Sequence, residues 1–587
     1  MRSNRRCSLR RITAGMLICL AVAFRVYAED VNRPDLEVKR FANEREKLAS
    51  HARFLNQATF GATKEAMDDL GDMSYSAWID QQLNYPVTLQ RPLVEELVDI
   101  NQEDLSSQRL SLWWRNSLNA QDQLRQRVAF ALSEILVVSD LTDQTYLQPV
   151  GMAEYYDNLA RGAFGNFRTL LEDVSKSPVM GMYLSHLRNQ REDPLNNTRP
   201  DENYAREILQ LFSIGLWHLN LDGTHMLDET GKPIPTYNQD VVQEFARVFT
   251  GWNLAGVTHW DYYPWEVFIY LPMEPYNNPH PWEREGGYHD RGEKHLLAYP
   301  VEGVSPDHWP RAVLPALVEG EDAQTDLTRA LDNIFYHPSV GPFICKQLIQ
   351  RLVTSNPTPA YVRRVASIFN DNGYGVRGDM FAVVRAILLD REARHGHLTR
   401  PSTYGKLREP LIRMAHFWRA FHAQPKGGGL GPNIYTNYWT DQGPMRSPSV
   451  FNFFRPDYQP PGEITQMGLV APEFQITNET FINRTANLML YLLYVGYPDS
   501  PHADESTMVL DFDRELALAS EPDQLIDHLD LLFMAGQMSQ ELKSDLVALV
   551  ETIDMENFLE GSQQEGLLRV FMAVYLVITS PEYVVQR

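Results

Sequence analysis

Two stretches of the chain set side chains together that could do chemistry. In Asp201-Glu-Asn-Tyr-Ala-Arg-Glu-Ile208, helical i,i+4 spacing puts Glu202 over Arg206 and Asn203 over Glu207, giving a polar stripe. One reading is a carboxylate and a guanidinium lining a pocket, with Glu207 as general base or metal ligand. The other is an acidic first turn favoured by the helix dipole plus a surface ion pair, worth only a few tenths of a kcal/mol. In Gly286-Gly-Tyr-His-Asp-Arg-Gly-Glu-Lys-His295, the side chains of His289, Asp290, Glu293 and His295 are donors suited to zinc or another first-row divalent metal. Their spacing is not that of a helix face, so hydrogen bonds within a glycine-rich loop are the alternative. Catalytic candidates are therefore Glu207, His289 and Asp290. Ligand-binding candidates are Glu202, Asn203, Arg206, Trp252 and Arg446, and the metal candidates are His289, Asp290, Glu293 and His295. Lys406, Arg408 and Glu409 precede Pro410 and with Arg446 form either a cationic lip for sulfate, phosphate or carboxylate, or structural ion pairs. Asp511, Asp513 and Glu515 lack the glycine of a calcium loop and read as a solvated face.

The elements that must hold these residues are mostly helical. Leu124, Val128, Leu132 and Ile135 recur at the spacing of one buried face, with Arg125, Arg127 and Glu134 on other faces. A helix opens at Asp201 and runs through Phe212 to a stop at Gly215, and Asn238 caps another carrying Val241, Val242, Phe245 and Phe249. Between them, Asp222-Gly223 and Thr230-Gly231 are turn pairs and Pro233 and Pro235 exclude helix, so Leu221 to Tyr237 reads as a short β-hairpin. Residues 252–309 hold 5 of the 11 tryptophans and 5 of the 16 histidines, and read as an aromatic-rich irregular or β-containing insertion. Helices resume after Asp322. Thr358-Pro359 and Ser447-Pro448 look like caps followed by proline at the first helical position, Ser539 opens a helix, and Leu567 to Ile578 is a buried core helix. Short connections pack consecutive helices side by side, so Glu207 and Arg206 are expected to face one cleft with His289 and Asp290, with Trp252 in its wall.

Five arginines ahead of the apolar run Ile12–Phe24, closed by Val26-Tyr-Ala28, have the layout of a cleavable export signal. The run is too short to span a bilayer as a helix. Removing residues 1–28 takes away six arginines and no acid, moving the formal charge from -23 to -29, which disfavours nucleic acid as a partner. It also leaves Cys345 as the only cysteine, so stability comes from burial, for which 44% hydrophobic residues are ample. The charged residues 29–48 form an N-terminal arm. Residues 49–587 form one helical domain with two lobes, about 49–250 and 322–587, around the insertion. No GxSxG, HExxH, P-loop, CxxC or CxxCH occurs, which removes the easily recognised hydrolase, zincin, nucleotide and redox signatures.

Six separated motifs resemble one bacterial family: Asn56-Gln-Ala-Thr-Phe-Gly61, Leu124-Arg-Gln-Arg-Val-Ala-Phe-Ala-Leu-Ser-Glu-Ile-Leu136, Arg199-Pro-Asp-Glu-Asn-Tyr-Ala-Arg-Glu-Ile208, Phe249-Thr-Gly-Trp252, His289-Asp290 and Arg446-Ser-Pro-Ser-Val-Phe451. In their order they are similar to the exported proteins of domain-of-unknown-function family 1800, from about Phe54 to Ser580-Pro-Glu-Tyr583. The resemblance implies export to the periplasm or cell exterior, a mainly α fold, and a neighbouring exported protein similar to alkaline phosphatases and sulfatases. It brings no established catalytic residues. Two functions fit: an accessory or binding partner of that phosphatase/sulfatase-like neighbour, or an exported hydrolase or lyase acting on a polyanionic or carbohydrate substrate, with a divalent metal as its conceivable cofactor.

Overall fold

The structure, a computed structural model, describes residues 43–100, 104–261, 269–277, 286–432 and 434–587. The expected signal at 1–28 and most of the expected arm at 29–48 lie outside the described residues. Asn43 accepts a hydrogen bond from the Glu46 amide at 2.9 Å and caps the helix Glu44–Ala58. This helix thus opens before Ala49, its first turn supplied by residues 44–48 of the expected arm.

The chain is mainly α, and the strands of the described residues form only two-stranded antiparallel sheets. The cap residues act as their chemistry demands: Asn238 caps Gln239–Val248, Asp322 caps Ala323–Phe335, Thr358 caps Pro359–Asn370 and Ser539 caps Gln540–Glu551, each side chain accepting from an amide of the first turn. Ser447-Pro448 departs from the expectation. No helix follows it; Ser447 Oγ donates to the Ser449 carbonyl at 3.1 Å, which closes a turn instead.

Helix Gln123–Ser133 is buried all round, and so are Arg125, Arg127 and the Glu134 that follows it. The apolar spacing found only part of the buried surface, because each of these charged residues has a partner inside the fold. Arg127 donates to the Arg351 carbonyl at 2.7 Å, Glu134 accepts from Gln442 at 3.2 Å, and the Arg125 guanidinium lies 4.3 Å from the Phe164 ring centroid. One contiguous apolar core runs from Ala52 to Tyr583. Trp114 of helix Leu105–Asn119 meets Trp418 of helix Pro410–Ala420 edge-on at 5.0 Å, so the stretches 49–250 and 322–587 share a core. The closing helix Leu567–Thr579 is in that core, and among the described residues no helix is long and apolar enough to cross a membrane.

The expected hairpin starts earlier, near Leu216, and is a pair of successive tight turns at Gly223 and Gly231, whose φ values of 76° and 81° need glycine. Three short runs are stitched by bonds such as His218 N–H to the Ile234 carbonyl and Met226 N–H to the His218 carbonyl. In the insertion, Lys294–Ala298 pairs with Arg311–Leu314 just beyond its end, and Trp260 stacks on Tyr288 at 3.8 Å as a local core. Trp265 and Trp282 lie outside the described residues.

Candidate functional site

The pivot is the helix Gln239–Val248, ten residues and thus about 15 Å long, which packs on helix Asn203–Gln210 and on strand Lys294–Ala298. The residues singled out by their chemistry divide between its two ends.

At the C-terminal end, Arg247 grips Asp290 with both arms of its fork, Nε and Nη2 each 3.0 Å from a carboxylate oxygen. Burial raises the Asp290 carboxyl, but the Arg247 bonds, the Gly292 amide and the Arg247 and Lys294 charges outweigh it and hold the group below its ordinary value. His289 lies with Nδ1 2.8 Å from the Thr250 carbonyl and Nε2 3.1 Å from Asp326. Each ring nitrogen thus already has a protein partner within hydrogen-bond distance. Asp326, fully buried, also takes the buried Lys294 ammonium at 2.6 Å, and that ammonium donates further to the carbonyls of Asp290 and Gly292 at 2.7 and 3.0 Å. Desolvation pushes Asp326 up, and the bonds from His289 and Lys294 more than reverse it. Gly251 explains the glycine of Phe249-Thr-Gly-Trp252: its φ is 77°, and a Cβ there would lie 2.6 Å from His289 Cβ.

The four expected metal donors do not converge. His289 and Asp290 are held by Thr250, Asp326 and Arg247, while Glu293 and His295 pair with each other at 3.0 Å on the surface, about half exposed. Among the described residues no group of three or more His, Cys, Asp or Glu is arranged to hold a metal ion. Trp252 is buried in the core and pairs with Pro275 as a strand residue, so it packs the fold instead of walling a cleft.

At the N-terminal end, Glu202 accepts from Arg206 at 3.1 Å and from Gln239 at 2.6 Å, a half-exposed surface network. Asn203 is exposed. Glu207 differs from them. It is 6% exposed, and its Oε2 is buried with no hydrogen-bond partner. Burial raises its carboxyl, with Arg206 opposing. Two phenols face it electrostatically: Tyr237, whose buried hydroxyl also lacks a partner, and Tyr183, whose hydroxyl bonds the Ser447 side chain; burial pushes both up to about 12. Tyr183 thus joins the Glu207 motif to the Arg446–Phe451 motif. No hydrogen bond or ion pair links Glu207 or Arg206 to His289 or Asp290; the helix length separates them, and the expected single cleft is replaced by two sites.

The expected cationic lip is also occupied from within. Lys406 and Glu409 are buried 3.0 Å apart, and Lys406 reaches Glu473 at 3.1 Å. Arg408 bonds the Tyr583 carbonyl, and Arg446 lies 2.9 Å from Asp140 over the ring of Tyr435, with Arg109 on the same carboxylate. Of the acidic run near the C-terminus, Asp511 and Asp513 are exposed, but Glu515 is buried against His528 at 2.6 Å. Sequence reasoning missed Lys294 and Asp326, the buried centre of the His289 site, and the phenols of Tyr183 and Tyr237. The only signal for Asp326 was an acid in the first turn after the Asp322 cap, which the helix dipole explains equally well.

No curated protein and no solved structure matches the chain. A family model described as "Protein of unknown function (DUF1800)" matches residues 53–585, with all six sequence motifs inside that span. The chain therefore belongs to the DUF1800 family.

Proposed function

We propose that the protein is an exported, non-catalytic accessory protein that binds and escorts the phosphatase- and sulfatase-like neighbour implied by the family resemblance. One observation carries the reading: the histidine, lysine and carboxylates that would serve as catalytic groups at His289 and Asp290 are bonded to one another and to the backbone, which suits a scaffold. The acidic body, with a formal charge of -23, favours a partner presenting a basic face. The test is capture of tagged full-length protein from its native exported fraction, alongside assays of the purified chain on phosphate and sulfate esters. Stoichiometric recovery of the neighbour with no ester hydrolysis supports the reading. Turnover by the isolated chain overturns it.

A second reading, a hydrolase or lyase, is favoured by Glu207 alone. A buried carboxyl with a raised pKa, one oxygen unsatisfied and two phenols nearby has the makings of a general acid. Loss of turnover in Glu207→Gln, with unchanged folding, supports it.

A further inference from the structure

A 300 Å³ cleft lies between the last turns of helix Leu105–Asn119 and a glycine-rich loop, Lys426-Gly-Gly-Gly-Leu-Gly431. Its lining includes Arg115, Asn119 and Gln424 together with Gly429, Leu430 and Gly431. The loop is held at both ends. On one side Gln424-Pro425 pairs with Met508-Val509, and the amides of Lys426 and Gly427 donate to the carbonyls of Thr507 and Glu505, each at 2.9 Å. On the other, Ser111 Oγ donates to the Pro432 carbonyl at 3.2 Å. Gly431 permits the close approach, since a Cβ there would sit 2.8 Å from the Ser111 carbonyl oxygen, and Gly428 turns the chain at a φ of 67°.

After the Gly428 amide, which bonds the Pro425 carbonyl at 3.0 Å, the next three amides, Gly429, Leu430 and Gly431, have no acceptor among the described residues. The Arg115 guanidinium likewise has no carboxylate or carbonyl partner among them. Arg115 and Gly429-Leu430-Gly431 line one concavity, and an unpaired guanidinium beside backbone N–H groups without protein acceptors is complementary to an oxyanion. The Glu505 carboxylate lies against Gly427 at the start of the loop.

We propose that this cleft is an oxyanion site that takes a phosphate, sulfate or carboxylate group, with Arg115 and the amides of residues 429–431 as its donors. The site goes beyond the accessory role and does not depend on it.

The test is calorimetric titration of the full chain at constant ionic strength with four probes: inorganic phosphate, inorganic sulfate, acetate and glucose 6-phosphate, against chloride. Saturable binding of at least one probe is expected. Tighter glucose 6-phosphate than inorganic phosphate assigns the site to esters, and the reverse to free ions. Arg115→Met retains the apolar stem and should weaken binding at least about tenfold, with no change in the anion-free melting temperature, because Arg115 holds no intramolecular partner. Arg115→Lys should recover part of the affinity. The proposal fails if no probe saturates above the chloride control, or if Arg115→Met binds as the parent does.

Discussion

Replacing Lys294 by Met separates a structural from a chemical role for the His289 site. The Lys294 ammonium and the Asp326 carboxylate lie 2.6 Å apart with side-chain exposures of 1% and 0%, and Lys294 also satisfies two carbonyl oxygens. Methionine matches the stem but removes the charge, leaving Asp326 buried with only the His289 bond at 3.1 Å. Breaking a buried pair from one side costs about 3–5 kcal/mol, because an uncompensated charge remains. With a urea m-value of about 3 kcal/mol/M, the unfolding midpoint followed by far-ultraviolet circular dichroism falls by about 1–1.7 M. The double variant Lys294→Met/Asp326→Leu removes both charges and should regain most of that loss. A single variant as stable as the parent would refute the structural reasoning. So would a double variant as unstable as the sum of its parts.

Other outcomes follow from the same groups. Glu207 has a raised folded pKa, so the native state holds its proton above the ordinary glutamate range and stability falls as pH rises through that window; Glu207→Gln should flatten this loss in pH-dependent urea unfolding. His186 and His218 are lowered by burial to about 4 and His337 to about 3, so all three are neutral in the fold; stability should fall as pH drops from about 6.5 toward 4, and His218→Asn/His337→Asn should reduce that slope. N-terminal sequencing of exported protein should find its start at or within a few residues of Glu29, whereas Met1 retained in a soluble cytoplasmic pool would contradict export.

What the sequence disclosed was local. Asn238, Thr358 and Ser539 cap helices through bonds spanning three residues, so composition at one position is enough to find them. The turns at Gly223 and Gly231 are equally short-range. The burial of Arg127 and Glu134 was hidden because their partners lie 224 residues away at Arg351 and 308 away at Gln442, and no periodicity reports such pairings. For the same reason His289 and Asp290 resembled metal donors: Asp326 and Arg247, 37 and 43 residues distant, consume the very atoms that would bind. Glu207 was legible as a residue but not as a site, since its isolation depends on Tyr183 and Tyr237 from separate elements. Ser447-Pro448 misled because the same hydroxyl that caps a helix can close a turn.

Elemental analysis of the chain, purified without chelators, tests the role of His289 and Asp290 most directly. With both imidazole nitrogens engaged by Thr250 and Asp326 and both Asp290 oxygens engaged by Arg247, the expected result is no metal in stoichiometric amount that depends on them. One equivalent of zinc or another first-row metal, lost in His289→Ala while the chain stays folded, would contradict the structural assignment.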